Sequence, residues 1–331
     1  MKMSSVEMGD LNDPETFWAD QSALWESKKE IQWESPEIMK ARELDRIGRR
    51  IQVLVLVKTA PQLSRQYNDT VCVAGIALSP LRWVRLYPIP FRYLGDANRF
   101  PKYSIIEVDV RLSENDKRFE SLKVDASTIE VKNTLSSAKG WVERARYVEQ
   151  VPEVCLCDLR ENLSRDLNGP SLGLVRPCVD SVQINIRPMA KETPEQERRR
   201  REILLRQSLD LDLGEKPSES RWVELSKPPK FSAKMSFRCL GRSSCHGHQL
   251  SYIDWEFTAA QFSNPRLDDA ALVGLLERNF YENPTRSDKD LRFYVGNLAN
   301  ITKRASYQIL GLYYPSREVS SEERSALFSF S

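Results

Sequence analysis

Four short strand patterns follow one another between residues 51 and 112, with no helix pattern between them. The first, IQVLVLVK at residues 51–58, is a continuous apolar run rich in valine, which is typical of a strand buried on both faces. Breaks that contain Pro, Asp and Asn separate it from the patterns at 70–78, 82–89 and 104–112. Parallel sheets need long, usually helical connections, so this spacing favours a small β-barrel or sandwich.

The other patterns divide the chain into five parts. The pattern predicts a helical arm over residues 1–50, whose second helix starts at Ser35 with a proline in its first turn. We expect a β-rich domain at 51–190, a helix and acidic linker at 191–220, an α+β domain at 221–316 and a loose tail at 317–331. The predicted fold class is therefore α+β, with two helices, a small β-barrel and then a mixed α/β domain.

Composition restricts the functional classes. The 331 residues contain 49 Lys and Arg against 47 Asp and Glu, so binding of a polyanion requires local patches rather than bulk charge. We find no apolar run of the ~18 residues that a membrane span needs, and the polar N-terminus does not resemble a signal peptide. Six cysteines are too few for a disulfide scaffold, so we expect a reduced, cytoplasmic protein.

The densest chemical signal is CLGRSSCHGHQL, which contains both histidines of the chain. Cys239, Cys245 and His248 fit a zinc knuckle, in which two thiolates and an imidazole bind structural zinc. His246 follows Cys245 directly, so its side chain should point away unless the loop bends sharply. The fourth ligand stays open between His246, a distant cysteine (the pair in Cys155-Leu156-Cys157 is one source) and water. The alternative is a buried cysteine pair beside ordinary surface histidines.

Downstream, Asp254 and Glu256 flank Trp255 on a predicted strand, which would place both carboxylates on one face. With His248 they suggest a metal-dependent nuclease that uses a divalent ion such as Mg²⁺. No lysine of a nuclease motif follows, and solvated or salt-bridged carboxylates are the alternative. A P-loop, a G-x-G-x-x-G, a G-x-S-x-G and an H-E-x-x-H motif are also missing from the sequence, so enzymatic activity is not favoured.

Basic residues are interleaved with aromatic residues along the N-terminal strands, a pattern typical of single-strand binding surfaces, and residues 221–248 are basic with Glu224 as their only acid. The alternative is that the aromatics belong to the core and the arginines to an ordinary solvated face. The candidate nucleic-acid contacts are Arg82, Arg85, Tyr87, Arg92, Tyr93, Lys234, Arg238 and Arg242.

The segment VCVAGIALSPLRWVRLYPIPFRYL resembles the start of the dual OB-containing domain of bacterial conflict and defence proteins. Five matching positions, Cys72, Ala74, Gly75, Trp83 and Arg85, carry the resemblance, which covers roughly residues 51–112. It implies that the N-terminal barrel is OB-like. It also implies nucleic-acid recognition in bacterial immunity rather than catalysis.

Our leading hypothesis is therefore a cytoplasmic bacterial protein that belongs to an anti-phage or genome-conflict system. We expect it to bind DNA or RNA and to be stabilised by a structural zinc ion in its C-terminal half. One alternative is the nuclease described above. The other is a non-catalytic subunit that recruits an effector protein through Trp18, Trp25 and Trp33 in the N-terminal helices, because tryptophan is favoured as an interface anchor.

Overall fold

The protein has an α+β fold with two β-sheets, in a computed structural model that describes residues 35–59, 62–64, 68–89, 99–190, 193–195, 197–198, 201–202 and 228–317. The α-helices in these residues are α1 (Pro36–Ile47), α2 (Ala138–Val148), α3 (Leu156–Arg165), α4 (Trp255–Phe262) and α5 (Asp269–Glu277). The strands of the first sheet are β1 (Arg49–Lys58), β2 (Gln62–Ser64), β3 (Asn68–Leu78), β4 (Leu81–Ile89), β5 (Ser104–Leu112) and β6 (Ser121–Thr134). Those of the second are β7 (Leu172–Val175), β8 (Gln183–Pro188), β9 (Phe231–Phe237), β10 (His248–Tyr252), β11 (Arg292–Asn297) and β12 (Tyr307–Tyr313).

The first sheet closes into a ring. Its strand order is β1-β5-β6-β4-β3-β2, and an additional antiparallel pairing of β1 with β3 completes the circle. Only β4 and β6 in this ring run parallel. Gly75 lies where β3 crosses β1, and a Cβ at this position would come within 2.2 Å of the Leu54 carbonyl oxygen. The close approach of the two strands therefore requires glycine here.

Both faces of strand β1 are buried from Val53 to Lys58, as predicted. Along β1, Val53 and Val55 point into the ring, whereas Leu54 and Leu56 point outward into a second cluster. The same alternation in β4 puts Val84 inside the ring. It explains why the sequence of β1 lacks the polar residues of a half-exposed strand.

The second sheet has the order β7-β11-β12-β10-β9-β8, with β10 and β12 parallel. Helices α3, α4 and α5 supply leucine and phenylalanine side chains, including Leu159, Phe257 and Leu276, to the core on one face of this sheet. Strands β7 and β8 lie within residues 172–188, which the sequence analysis assigned to the first β-rich part. In the structure they pair with strands from the C-terminal half.

The opposite face of the second sheet packs on the outside of the ring. One buried cluster contains Leu54 and Trp83 from the first sheet together with Leu174, Tyr294 and Leu310 from the second. This contact covers β7, β11 and β12. The corresponding face of β8, β9 and β10 carries exposed or half-buried polar residues, so the ring leaves it uncovered.

Buried polar contacts also join the two sheets. The Lys102 ammonium donates to Asp254 at 2.8 Å, and Arg118 donates to the backbone oxygen of Asn297 at 2.7 Å. The side chains of Lys102 and Asp254 are 3% and 1% exposed. A buried ion pair of this kind tolerates the loss of neither partner, since the remaining charge would be left without compensation.

The predicted strand around Asp254 is wrong. Asp254 is the N-cap of α4, and its side chain accepts a hydrogen bond from the Glu256 backbone N–H at 3.1 Å. An aspartate followed by glutamate in the first turn is a helix start signal, and a five-residue alternation was too short to outweigh it. The following helix, α5, runs without interruption through Gly274.

Helix α1 confirms the predicted second N-terminal helix. Ser35 caps it, with its hydroxyl oxygen accepting from the Ile38 N–H at 3.3 Å, and Pro36 occupies the first turn. The fully buried Asp45 anchors this helix to the ring through Arg82. Among the described residues, no helix combines the length and apolar character needed to cross a membrane.

Replacing Lys102 should destabilise the protein far more than replacing an exposed lysine of the first sheet. We expect Lys102→Met to lower the free energy of unfolding by about 3–5 kcal/mol, because Asp254 would stay buried without its cation. The control is Lys132→Met, which removes an exposed pair with Glu130 at 2.8 Å and should cost less than about 1 kcal/mol. Chemical denaturation at neutral pH measures both, and equal losses would contradict a structural role for the buried pair.

Candidate metal centre and the cleft between the sheets

Three thiols and one imidazole converge at the end of the β9–β10 hairpin. The donor atoms of Cys157, Cys239, Cys245 and His248 all lie within 4.8 Å of one another. The His248 Nε2 atom is 3.4 Å from the Cys157 sulfur, 3.4 Å from the Cys239 sulfur and 3.3 Å from the Cys245 sulfur. These four residues can bind one metal ion.

The loop between β9 and β10 is shaped for this arrangement. Gly241 and Gly247 have φ angles of 71° and 99°, in the left-handed region that glycine adopts without strain. The turn at Gly247 leaves His246 exposed and directs His248, which begins β10, towards the buried cysteines. The predicted ligands Cys239, Cys245 and His248 are thus brought together, whereas His246 is not part of the group.

The fourth donor is Cys157, in the first turn of α3. From the sequence alone, Cys155-Leu156-Cys157 was only one of several possible sources of a distant ligand. The sulfur of Cys155, at the N-cap of α3, hydrogen-bonds that of Cys239, which lowers the pKa of Cys155 to about 6. About 80 residues separate Cys157 from the hairpin, so no local pattern links the two. The C-x-C motif was the only sequence signal for the fourth donor.

The electrostatics of His248 suit a neutral ligand. Burial, with a smaller contribution from the charge of Arg160, lowers the pKa of His248 to about 4. The imidazole is therefore uncharged at neutral pH, as metal binding requires. Its Nδ1 atom is buried and has no hydrogen-bond partner among the residues that the structure describes.

The predicted catalytic trio is not assembled. His248 contacts the cysteines, while Asp254 binds Lys102 and accepts a hydrogen bond from the Tyr252 hydroxyl at 3.3 Å. Within the described ranges, the cysteine and histidine group is the only one with three or more donors close enough to hold a metal. Neither Asp254 nor Glu256 belongs to it, so the geometry provides no shared metal site for the trio.

Asp254 and Glu256 nevertheless share a lysine that the sequence analysis did not find. Lys102 lies 2.8 Å from an Asp254 oxygen and 3.2 Å from a Glu256 oxygen. Burial alone would lower the pKa of Lys102, but the charges of the two carboxylates outweigh it and raise that pKa. Nearby, burial lowers the pKa of Lys58 from 10.5 to about 8 against the opposing effect of Glu256.

The candidate nucleic-acid residues fall into different environments. Arg82 is buried against Asp45, and Arg85 is buried between the sheets, where it donates to the Ser171 hydroxyl at 3.2 Å. Arg92 and Tyr93 lie outside the described residues. The remaining four are accessible to different degrees: Tyr87 and Arg242 are half-buried, and Lys234 and Arg238 are exposed. Of these, Arg242 is ion-paired with Asp158.

A cleft of about 330 Å³ opens where the contact between the two sheets ends. Tyr87, Arg85 and Lys123 reach it from the first sheet, and Asn297 and Gln308 reach it from the second. Its wall includes Pro88, Ile253, Leu298 and Leu310. The cleft therefore combines an aromatic ring, apolar surface, amides, cations and the carboxylates of Glu114 and Asp116, a composition typical of sites for small polar ligands.

The uncovered face of the second sheet begins beside this cleft. Gln308, at the cleft, pairs with Ser251 of β10. Across the next strands, Ser251 pairs with Lys234 of β9, and Lys234 pairs with Asn185 of β8. Residues paired directly across strands share one face of a sheet, so these four side chains form a row leading away from the cleft. The uncovered face consists of Gln183, Asn185, Arg187, Ser232, Lys234, Ser236, Gln249 and Ser251.

The shifted pKa of Lys58 predicts a pH-dependent stability. Between pH 8 and 10.5 the unfolded chain would hold the Lys58 proton that the folded chain has lost, so stability should rise with pH in this window. Below pH 8 the lysine is charged in both states and its full burial cost remains. The unfolding free energy of the wild type minus that of Lys58→Met should therefore rise by about 3 kcal/mol across the window. Denaturation curves at successive pH values measure this difference, and a flat or falling difference would contradict the lowered pKa.

Two family models match the chain and together cover both sheets. One, described as Domain of unknown function (DUF8758), matches residues 49–150, and the other matches residues 152–329. The boundary at residues 150–152 lies between α2 and α3, so α3 and all strands of the second sheet fall within the second match. A comparison with curated proteins found no match. Because the second match spans more than half of its length, the chain belongs to the family described as Domain of unknown function (DUF8757).

Proposed function

We propose that the protein binds single-stranded DNA or RNA on the uncovered face of its second sheet and in the adjoining cleft. The observation that carries this proposal is the chemistry of that face: its eight side chains include Arg187 and Lys234 but no carboxylate. Amides and hydroxyls make up the rest. A cationic sheet surface without acidic residues suits a phosphate backbone, and amides can bond to bases and sugars.

The available cations support this choice of surface. Lys234 and Arg238 are exposed and form no salt bridge with a described residue, and Arg187 donates a hydrogen bond to the neutral side chain of Asn185. In contrast, Arg50 and Lys132 on the first sheet are engaged by carboxylates, among them Glu107 and Glu130. That face of the ring would repel a polyanion as much as attract it.

The ring of the first sheet supports the OB-like interpretation, since five strands in a closed order are what such small barrels contain. Its outer face, with Trp83 and Arg85, is covered by the second sheet. In this proposal the barrel positions the cleft, and the second sheet provides most of the binding surface. The bacterial defence setting follows from the resemblance at residues 51–112 and is proposed on that basis.

A structural zinc ion fits the cysteine and histidine group. Tetrahedral zinc with the usual bond lengths places a thiolate sulfur and an imidazole nitrogen about 3.6 Å apart. The three such distances at His248 are 3.4, 3.4 and 3.3 Å. Zinc would tie α3 to the β9–β10 hairpin and so hold the strand that carries Lys234.

Removal of one ligand should remove the metal and lower stability. We expect Cys157→Ser to lose the single zinc ion seen by native mass spectrometry and to melt several degrees lower, because the ion bridges two separate segments. Cys178→Ser is the matched control, since Cys178 is a half-buried cysteine outside the group, and it should keep the ion. A Cys157→Ser protein that retained zinc or melted unchanged would contradict the structural site.

Nucleic-acid binding is tested with labelled single strands of DNA and RNA in salt titrations. The double variant Arg187→Ala/Lys234→Ala should bind at least about tenfold more weakly, and its salt slope should fall by about 1.4, as two phosphate contacts are lost. The control Arg50→Ala/Lys132→Ala removes two cations from the first sheet and should bind like the wild type. Equal weakening of both variants would contradict the uncovered face as the binding surface.

The same samples test the nuclease alternative. The structure provides no shared metal site for His248, Asp254 and Glu256, so strands incubated with Mg²⁺ should stay intact, as they should in EDTA. Cleavage that requires Mg²⁺ and disappears in Asp254→Asn, with the fold retained, would support the nuclease instead.

A further inference from the structure

We infer that the cleft between the sheets takes up one unstacked nucleobase of a bound strand, and that it favours bases with carbonyl oxygens. This inference rests on the proposed function, since the strand on the uncovered face would deliver the base. It goes further by assigning the cleft a ligand. Ligand pockets in proteins start at roughly 300 Å³, and the cleft measures about 330 Å³.

Two buried side chains of the cleft have donors without partners among the described residues. Arg85 and Asn297 line the cleft and are 2% and 4% exposed, and the Arg85 Nε and Asn297 Nδ2 atoms make no hydrogen bond there. A buried donor without an acceptor is costly, so such atoms mark a place where a ligand can supply one.

The orientation of the Asn297 amide is determined by Arg118. Arg118 Nη1 donates to Asn297 Oδ1 at 3.2 Å, and a guanidinium can only donate. The NH₂ group of Asn297 is therefore the part without a partner. Both groups without partners are donors, so the matching ligand offers acceptors. The carbonyl edges of uracil, thymine and guanine are acceptors, whereas the exocyclic amine of adenine is a donor.

The remaining walls suit a base rather than a free phosphate. Tyr87, Pro88 and Leu310 provide surface for stacking and apolar contact. The Asp116 carboxylate at the cleft is neutralised by Arg118 and accepts from the Ser121 hydroxyl at 2.8 Å. At the rim, exposed Lys123 can bind a phosphate, although the exposed Glu114 beside it limits the net positive charge.

The row from Gln308 to Lys234 connects the cleft to the uncovered face. Gln308 lines the cleft, and Lys234 is two strands away, roughly 10 Å at the usual spacing of strands. A strand whose backbone lies on Lys234 can thus turn one base into the cleft, as base-flipping proteins do.

The test uses the full chain, free mononucleotides and single strands with one abasic position. Saturation-transfer NMR should detect UMP and GMP on the wild type, with a weaker signal for AMP. In strands of 12 thymidines, removing the base at one particular position should weaken binding at least about fivefold, the loss expected for one stacked base. Removing bases at other positions should matter less.

Ala299→Trp, which places an indole at the exposed edge of the cleft, should abolish both the nucleotide signal and the effect of the abasic position. Gln308→Leu is a second variant, in which leucine has about the volume of the glutamine that it replaces. It should weaken nucleotide binding without closing the cleft. Ala138→Trp is the control, because Ala138 is an exposed alanine outside the cleft, and it should behave like the wild type. Thermal melting of each variant confirms that it is folded.

The outcomes separate this inference from the proposed function. If strands bind but neither nucleotides nor any abasic position give an effect, the nucleobase cleft is overturned while strand binding stands. If neither strands nor nucleotides bind, both are overturned. If AMP binds as well as UMP and GMP, the assignment of carbonyl recognition to Arg85 and Asn297 is overturned.

Discussion

The burial of the ring's outer face against the second sheet is the contact on which the rest of the structure depends. Leu54 and Trp83 on that face would be exposed if the ring stood alone, and Leu174 and Tyr294 of the second sheet would be exposed in turn. The Lys102–Asp254 pair is enclosed in the same junction. The two sheets therefore stabilise each other, although two separate family matches cover them.

This junction also determines which surfaces stay accessible for the proposed ligand. It covers β7, β11 and β12 and stops before β10, which leaves three strands of the second sheet with a polar, accessible face. The cleft forms at the boundary, where Tyr87 and Arg85 from the ring meet Gln308 and Asn297. The proposed strand path and the proposed nucleobase site are consequences of the same packing. The cysteine and histidine group lies at the end of the β9–β10 hairpin, whose first strand carries Lys234.

The sequence allowed good prediction of features that depend on local pattern. The apolar run of β1 indicated burial on both faces, Ser35 indicated the start of α1, and the short loop at 239–248 indicated Cys239, Cys245 and His248 as neighbours. Features that depend on distant packing were missed. Nothing near Cys157 shows that α3 lies against the hairpin. Alternation along β4 places Arg85 and Val84 on opposite faces, but it cannot show that another sheet covers Arg85.

Photochemical cross-linking tests the central claim most directly, because it locates a bound strand on the surface. A single strand of RNA containing 4-thiouridine is bound to the wild-type protein, irradiated and digested, and the linked peptides are identified by mass spectrometry. The proposed function predicts adducts in β8, β9 and β10 and at Tyr87 in the cleft. Adducts confined to the helices that cover the other face, or to the ring surface around Lys132, would contradict it.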